Sequence, residues 1–106
     1  MQIGFILTKS PSEQGFKTFL DFSRSYINND QISIYLLGNG VYCARKDYSN
    51  SDLEVLFESS TVYVYENDLI ARGIREEQIK DGLIVFSDYD GMVIAIMEYF
   101  NQVVSF

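Results

Sequence analysis

The one soft nucleophile in this chain is its single cysteine, Cys43. It sits early in a short helical stretch, "VYCARK", just after "GNG" at 38–40, with Arg45 and Lys46 close in sequence. A helix dipole and nearby cations there would lower the thiol pKa and favour a reactive thiolate. On the inward face of the same helix, Cys43 would instead be a small apolar filler. Four carboxylates, Glu66, Asp68, Asp88 and Asp90, come from the ends of two strands, and carboxylates at neighbouring strand tips can bind Mg²⁺. Helix capping is the simpler task for Asp88 and Asp90, which frame "SDYDG" before a helix, and Glu66 or Asn67 can cap the helix after "TVYVY". "GNG" lacks the third glycine of a dinucleotide loop and the Lys and Ser/Thr of a P-loop. It reads as a strand-to-helix turn, with Asn39 capping and Gly38 and Gly40 supplying positive φ. The alternative is a small-ligand or partner contact at the carboxyl edge of the sheet. No histidine is present, which removes the commonest general base and metal ligand. One cysteine makes neither an intrachain disulfide nor a thiolate-rich metal site.

These side chains need elements to hold them. "MQIGFILT" reads as a buried first strand. A helix follows in "KSPSEQGFKTFLDFSRSYI", with Pro11 near its start and Ser10 or Ser12 as cap. Phe16, Phe19, Leu20, Phe22 and Tyr26 form its apolar stripe, and "NND" at 28–30 breaks it. "QISIYLL" is a second strand, dense in β-branched and aromatic residues. Beyond "YSNSD", Ser51 caps a weak helix through "DLEVLFES". "TVYVY" is a third strand, placing Thr61, Tyr63 and Tyr65 on one face, either as core under a helix or as an interface stripe. "NDLIARG" is a helix stopped by Gly73, and "IREEQIKDG" a polar turn or second short helix. "LIVFS" is a fourth strand, "DYDGMVIAIMEYFN" a helix with a strong apolar face, and "QVVSF" a short last strand. Strands alternating with helices imply βαβ crossovers. The continuous apolar runs "GFIL", "ISIYLL" and "LIVF" suit strands buried on both faces.

The bulk composition sets limits on all of this. With 106 residues, one domain spanning 1–106 is expected, and 47% hydrophobic residues are enough for a true core. A domain of this size buries only roughly 60–70% of its unfolded surface, so association would add to its stability. Eight Tyr and eight Phe are a high count, and aromatic residues concentrate at interfaces. A formal charge of −7 repels phosphate backbones, which disfavours direct nucleic-acid binding. The opening apolar run is too short for a signal segment or a membrane span, giving the expectation of a cytoplasmic protein off the membrane.

Residues "VYVYENDLIARGI" at 62–74 and "IKDGLIVFSDYDGMV" at 79–93 resemble the DsrH/TusB family of the DsrE/DsrF-like sulfur-relay proteins. "LTKSPSE" at 7–13 and "IYLLGNGVYCA" at 34–44 are similar to the family's first strand-to-helix junction and its second strand and turn. "DLIARG" is the specific part. The resemblance implies a cytoplasmic subunit working beside DsrE/TusD-like and DsrF/TusC-like relatives in a heterohexamer of two copies each. Such complexes pass persulfide sulfur between carriers. The Tus branch feeds 2-thiolation of the wobble uridine of certain tRNAs, and the Dsr branch serves sulfur oxidation. The resemblance also places the relay cysteine of the DsrE/TusD-like members at about Tyr65 here. Some DsrH members carry a cysteine in the first helix; around Phe19 this chain has none.

The expectation is therefore an α/β fold: a single three-layer domain of the DsrE/DsrF-like kind, its mostly parallel sheet of about five strands covered by helices on both faces. Its role would be that of a non-catalytic subunit of a sulfur-relay complex, an oligomer with such partners or with itself, holding no cofactor and no metal. Tyr65 stands at the relay position without a thiol. Asn39, Gly40, Tyr63, Glu66, Asp68 and Arg72 mark an interface or ligand edge. The alternatives are a stand-alone sulfur carrier using Cys43 and a homo-oligomeric protein binding a small ligand at Gly38–Gly40.

Overall fold

A computed structural model describes residues 1–28 and 30–106. The strands are β1 (Gln2–Leu7), β2 (Gln31–Leu36), β3 (Ser60–Tyr65), β4 (Ile84–Phe86) and β5 (Gln102–Ser105). The α-helices are α1 (Gln14–Ser23), α2 (Ser51–Glu58), α3 (Glu66–Ala71) and α4 (Tyr89–Tyr99), with 3₁₀ turns at Arg24–Tyr26, Gly38–Ala44 and Glu76–Gln78. The strands form one five-stranded sheet in the order β4-β3-β2-β1-β5, every pair parallel. The chain steps one way from β1 to β4, then crosses the whole sheet to reach β5. Right-handed crossovers put the first three connections on one face and α4 on the other.

Register decides what each face holds. Ile3, Phe5 and Leu7 lie beside Ile32, Ile34 and Leu36, and these beside Ser60, Val62 and Val64. Their hydrophobic members are almost wholly buried, with Phe16, Phe19 and Leu20 of α1 and Leu53 and Leu56 of α2 packed onto them. Each fully buried Leu, Ile or Phe contributes about 1.5–3 kcal/mol, so this layer dominates stability. The opposite face carries Gly4, Tyr35, Tyr63, Tyr65, Ile84 and Phe86 and has α4 above it. Only Met92 of α4 is buried.

Several local details differ from the sequence expectation. Neither Ser10 nor Ser12 caps α1. The N-cap is Glu13, without a side-chain cap, and its carboxylate accepts instead from the Ser10 N–H at 2.6 Å. The expected break at 28–30 includes Asn29, which lies outside the described residues; α1 itself ends at Ser23. Asn50, not Ser51, caps α2, its Oδ1 accepting from the N–H groups of Asp52 and Leu53 at 3.0 and 3.1 Å. "VYCARK" does not form a separate helix after "GNG", because Gly38–Ala44 is one continuous 3₁₀ turn. Nor does Asn39 cap it. The "strong apolar face" of α4 is apolar on the outer side as well, with Ile94 and Met97 exposed.

Candidate functional site

The carboxyl edge of the sheet gathers most of the residues singled out by sequence, in three groups. The first joins α3 to the 3₁₀ turn. α3 begins directly from β3, with Tyr65 at the N-cap and no side-chain cap, so neither Glu66 nor Asn67 caps it. It ends where Gly73 adopts φ +67°. There the Ile74 N–H reaches Leu69 O at 3.0 Å and the Gly73 N–H reaches Ile70 O at 3.1 Å, the Schellman pattern that glycine makes accessible. This termination aims Arg72 across the edge. Its Nε and Nη2 both donate to Asn39 Oδ1, at 3.1 and 3.0 Å, and Nη1 lies 3.5 Å from Asp68 Oδ1. Asp68 Oδ2 accepts from the Gly38 N–H at 2.7 Å. Glu13 adjoins the same group. The Ser10 N–H holds its carboxyl below the usual range, and the Ser10 hydroxyl, Asn39 and Lys9 add to that.

Asn39, Asp68 and Arg72 thus come together at this edge, but their polar atoms satisfy one another. Gly38 has φ +53°. Gly40 serves differently: a Cβ there would collide with the Leu7 carbonyl oxygen, so the residue permits close packing rather than positive φ. With the Gly38 N–H taken and Gly40 pressed on β1, this edge is a latch. Glu66 stands apart, beside an apolar groove of about 540 Å³ formed with Leu69, Ile70, Gly73 and Ile74.

The second group is aromatic and lies on the α4 side. Tyr63 stacks on Tyr35 with centroids 4.8 Å apart and planes 10° from parallel. Tyr65, at the tip of β3, stacks on Phe86 at 5.3 Å and meets Tyr89 at 5.6 Å. Its hydroxyl accepts from Asn67 Nδ2 at 3.0 Å. Burial pushes the Tyr35 phenol up, and Tyr63 adds to the shift. Tyr35, Tyr63, Phe86, Asp88, Gly91 and Met92 border a cleft of about 350 Å³ under α4.

The third is Cys43, which is 0% exposed. Its thiol donates to Lys9 O at 3.7 Å, and burial pushes its pKa up to about 12. Of the two readings of Cys43, the geometry is that of the small apolar filler, not of a thiol activated by a helix dipole and by Arg45 and Lys46. Arg45 pairs instead with Asp47 at 2.8 Å, and the turn buries Cys43 against β1. The cation that matters is one that sequence reasoning missed. Lys80 Nζ donates to the carbonyl oxygens of Cys43, Arg45 and Tyr48 at 3.1, 2.7 and 2.8 Å, and burial lowers its pKa. Nothing in "IKDG" signals this, because the three acceptors lie more than thirty residues earlier in the chain.

The carboxylates do not share a site. Asp88 Oδ1 accepts from the Gly91 N–H at 2.9 Å and caps α4, the simpler role foreseen for it, while Asp68 faces Arg72. No group of three or more His, Cys, Asp or Glu side chains able to hold a metal ion occurs among the described residues. Among those residues, too, no helix is long and apolar enough to cross a membrane.

A family model described as DsrH like protein matches residues 9–102, a span that takes in the latch, the tip of β3 and Cys43. The chain belongs to the DsrH-like family. Two solved structures share the fold of this DsrH-like chain. The protein of unknown function MTH1491 from Methanobacterium thermoautotrophicum superposes with a TM-score of 0.80 at 17% identity, over 97% of each chain. The ychN protein from E. coli does so with a TM-score of 0.78 at 15% identity, over 100% of each. No curated protein matches the sequence.

Proposed function

We propose that this DsrH-like protein is a non-catalytic subunit of a sulfur-relay assembly, in which DsrE/TusD-like and DsrF/TusC-like partners carry the persulfide. One observation carries the reading: no thiol of this chain faces solvent. The tip of β3 holds the phenol of Tyr65, and the sole cysteine is 0% exposed with a pKa of about 12. Persulfide transfer begins when a thiolate attacks the outer sulfur of a donor persulfide, and rates follow thiolate fraction and access. Tyr65 has no sulfur to accept. A thiol with that pKa is ionised in roughly one molecule in 10⁵ at pH 7, and it is walled in besides. The protein's part is then to shape or dock the carriers in a cytoplasmic complex serving wobble-uridine thiolation or sulfur oxidation. The charge of −7 leaves any tRNA contact to other subunits.

The test is transfer of ³⁵S from a persulfidated donor to the purified DsrE- and DsrF-like proteins, with and without this chain. Wild-type protein stays unlabelled while it raises transfer between the others. Tyr65→Cys, which puts a thiol at the half-buried strand tip, becomes labelled. Label on wild-type Cys43, or transfer rates indifferent to the chain, would overturn the reading.

A further inference from the structure

α4 is apolar on nearly every side. Met92 faces the sheet and is buried, with Ala95 and Ile96 half-buried beside it. On the outer side Ile94 is 55% exposed and Met97 79%, Val93 lies next to them, and Tyr99 at the helix end is 67% exposed. A helix apolar all round belongs in a fully enclosed place, and contiguous apolar surface on a folded chain marks an interface. The charges on α4 and the segments flanking it in sequence share one sign. Residues 81–106 contain Asp81, Asp88, Asp90 and Glu98 but no Lys or Arg; all eight basic residues precede them. Elsewhere some acids are paired, as in Arg24–Asp52 and Arg72–Asp68, and others are not. Among the described residues Asp90 and Glu98 make no ion pair.

We infer that the outer face of α4 docks a different protein, one whose own apolar surface is rimmed by Lys or Arg. This rests on the assembly reading and specifies the partner's chemistry. A second copy is the wrong occupant. Two-fold pairing sets the same patch against itself, so the Asp90 and Glu98 rim would meet another acidic rim with no cation between. An anionic membrane is repelled for the same reason. A cationic rim around apolar residues satisfies both the exposed Ile94 and Met97 and the unpaired carboxylates beside them.

The chain reports on this face through its three methionines, Met1, Met92 and Met97. Full-length protein carrying ¹³C-methyl methionine is titrated with a synthetic amphipathic helical peptide that has a leucine face and a lysine rim. A matched peptide with a glutamate rim and anionic phosphatidylglycerol vesicles serve as the other arms. The Met97 signal shifts saturably with the lysine peptide while Met1 stays put. Affinity falls with salt, as an exposed charge rim requires. Ile94→Ser, an exposed position whose melting curve stays unchanged, weakens binding about ten-fold or more. Asp90→Asn with Glu98→Gln flattens the salt dependence.

Equal binding of the glutamate peptide, an unmoved Met97, a Met97 shift on vesicles, or a homodimer broken by Ile94→Ser overturns the inference. The two readings also fail separately. DsrE- and DsrF-like proteins that do not associate with the chain at all sink the assembly. Relatives that bind Ile94→Ser as tightly as wild type sink only the docking face.

Discussion

Arg72 gives two hydrogen bonds to a single oxygen, Asn39 Oδ1, at 3.1 and 3.0 Å across 33 residues of sequence. A planar guanidinium can do this while turning its third nitrogen to Asp68; an ammonium cannot. The pair therefore fixes the end of α3 against the turn that buries Cys43. Arg72→Ala costs about 1–2 kcal/mol in urea unfolding, and Arg72→Lys recovers less than half of that. A double-mutant cycle with Asn39→Ala reads the coupling directly, and strictly additive losses would show the two side chains to be independent.

The buried thiol makes stability fall at alkaline pH. Its pKa is raised in the folded chain, from an ordinary value of 9.0 to about 12, so the unfolded chain loses that proton first. The contribution is complete below about pH 9 and is lost as pH rises towards 12. Chemical denaturation of wild type and Cys43→Ala across this range separates it from tyrosine and lysine titration, because the variant's curve lacks that component. Ellman's reagent at pH 8 reacts with wild type only as fast as the chain unfolds.

Lys80 is a staple for the turn that holds Cys43. Of its three carbonyl acceptors, Arg45 O also takes the Tyr48 N–H at 3.3 Å, but those of Cys43 and Tyr48 lose this donor if the ammonium is removed, and a stranded acceptor costs about 1–3 kcal/mol. Lys80→Met, which keeps the aliphatic stem, lowers unfolding free energy by roughly 2–3 kcal/mol. Amide exchange of residues 41–48 rises in this variant before that of β1 or β2. Uniform exchange across the sheet would mean that the contact does not act locally.

Two glycines separate crowding from backbone strain. At Gly40 a methyl group would strike the Leu7 carbonyl, while at Gly73 nothing lies within 4 Å and only the φ of +67° is at issue. Gly73→Ala costs about 1 kcal/mol. Gly40→Ala costs at least about 3 kcal/mol, since β1 or the turn must move. Melting temperatures of the two variants rank them, and the reverse order would refute this account of the turn.

Asn50→Ala removes the α2 cap and costs about 1 kcal/mol, whereas Ser51→Ala is neutral within a few tenths. Thermal melts of the two variants decide which residue is the cap.

That pair also shows where sequence reading reached its limit. Asn50 and Ser51 are both good caps, adjacent, and separable only by the φ/ψ of the entering chain. Strands were easier, because the runs in "QISIYLL" and "TVYVY" name themselves by side-chain type, and all five lie where those runs lie. Gly73 marked the end of α3 because a left-handed residue there has few alternatives. Asn39, Asp68 and Arg72 were singled out separately; their meeting depends on β2 and β3 being neighbours in register. For Cys43 the sequence left filler and reactive thiol both open, since proximity of Arg45 and Lys46 in sequence does not say whether the turn buries the thiol. The breadth of the apolar surface on α4 was legible as composition, but which side faces the sheet depends on how the long β4-to-β5 crossover lies.

Tyr35 and Tyr63 stack nearly parallel, 4.8 Å apart, in a chain without tryptophan. Two phenol chromophores this close share their excitation, so near-ultraviolet circular dichroism carries a coupled band from the floor of the α4 cleft. No indole absorbs over it. Lifting α4, or seating another ring in the cleft, alters that band in real time and without a label. The molecule is thereby fitted with its own optical gauge of how α4 sits on the sheet.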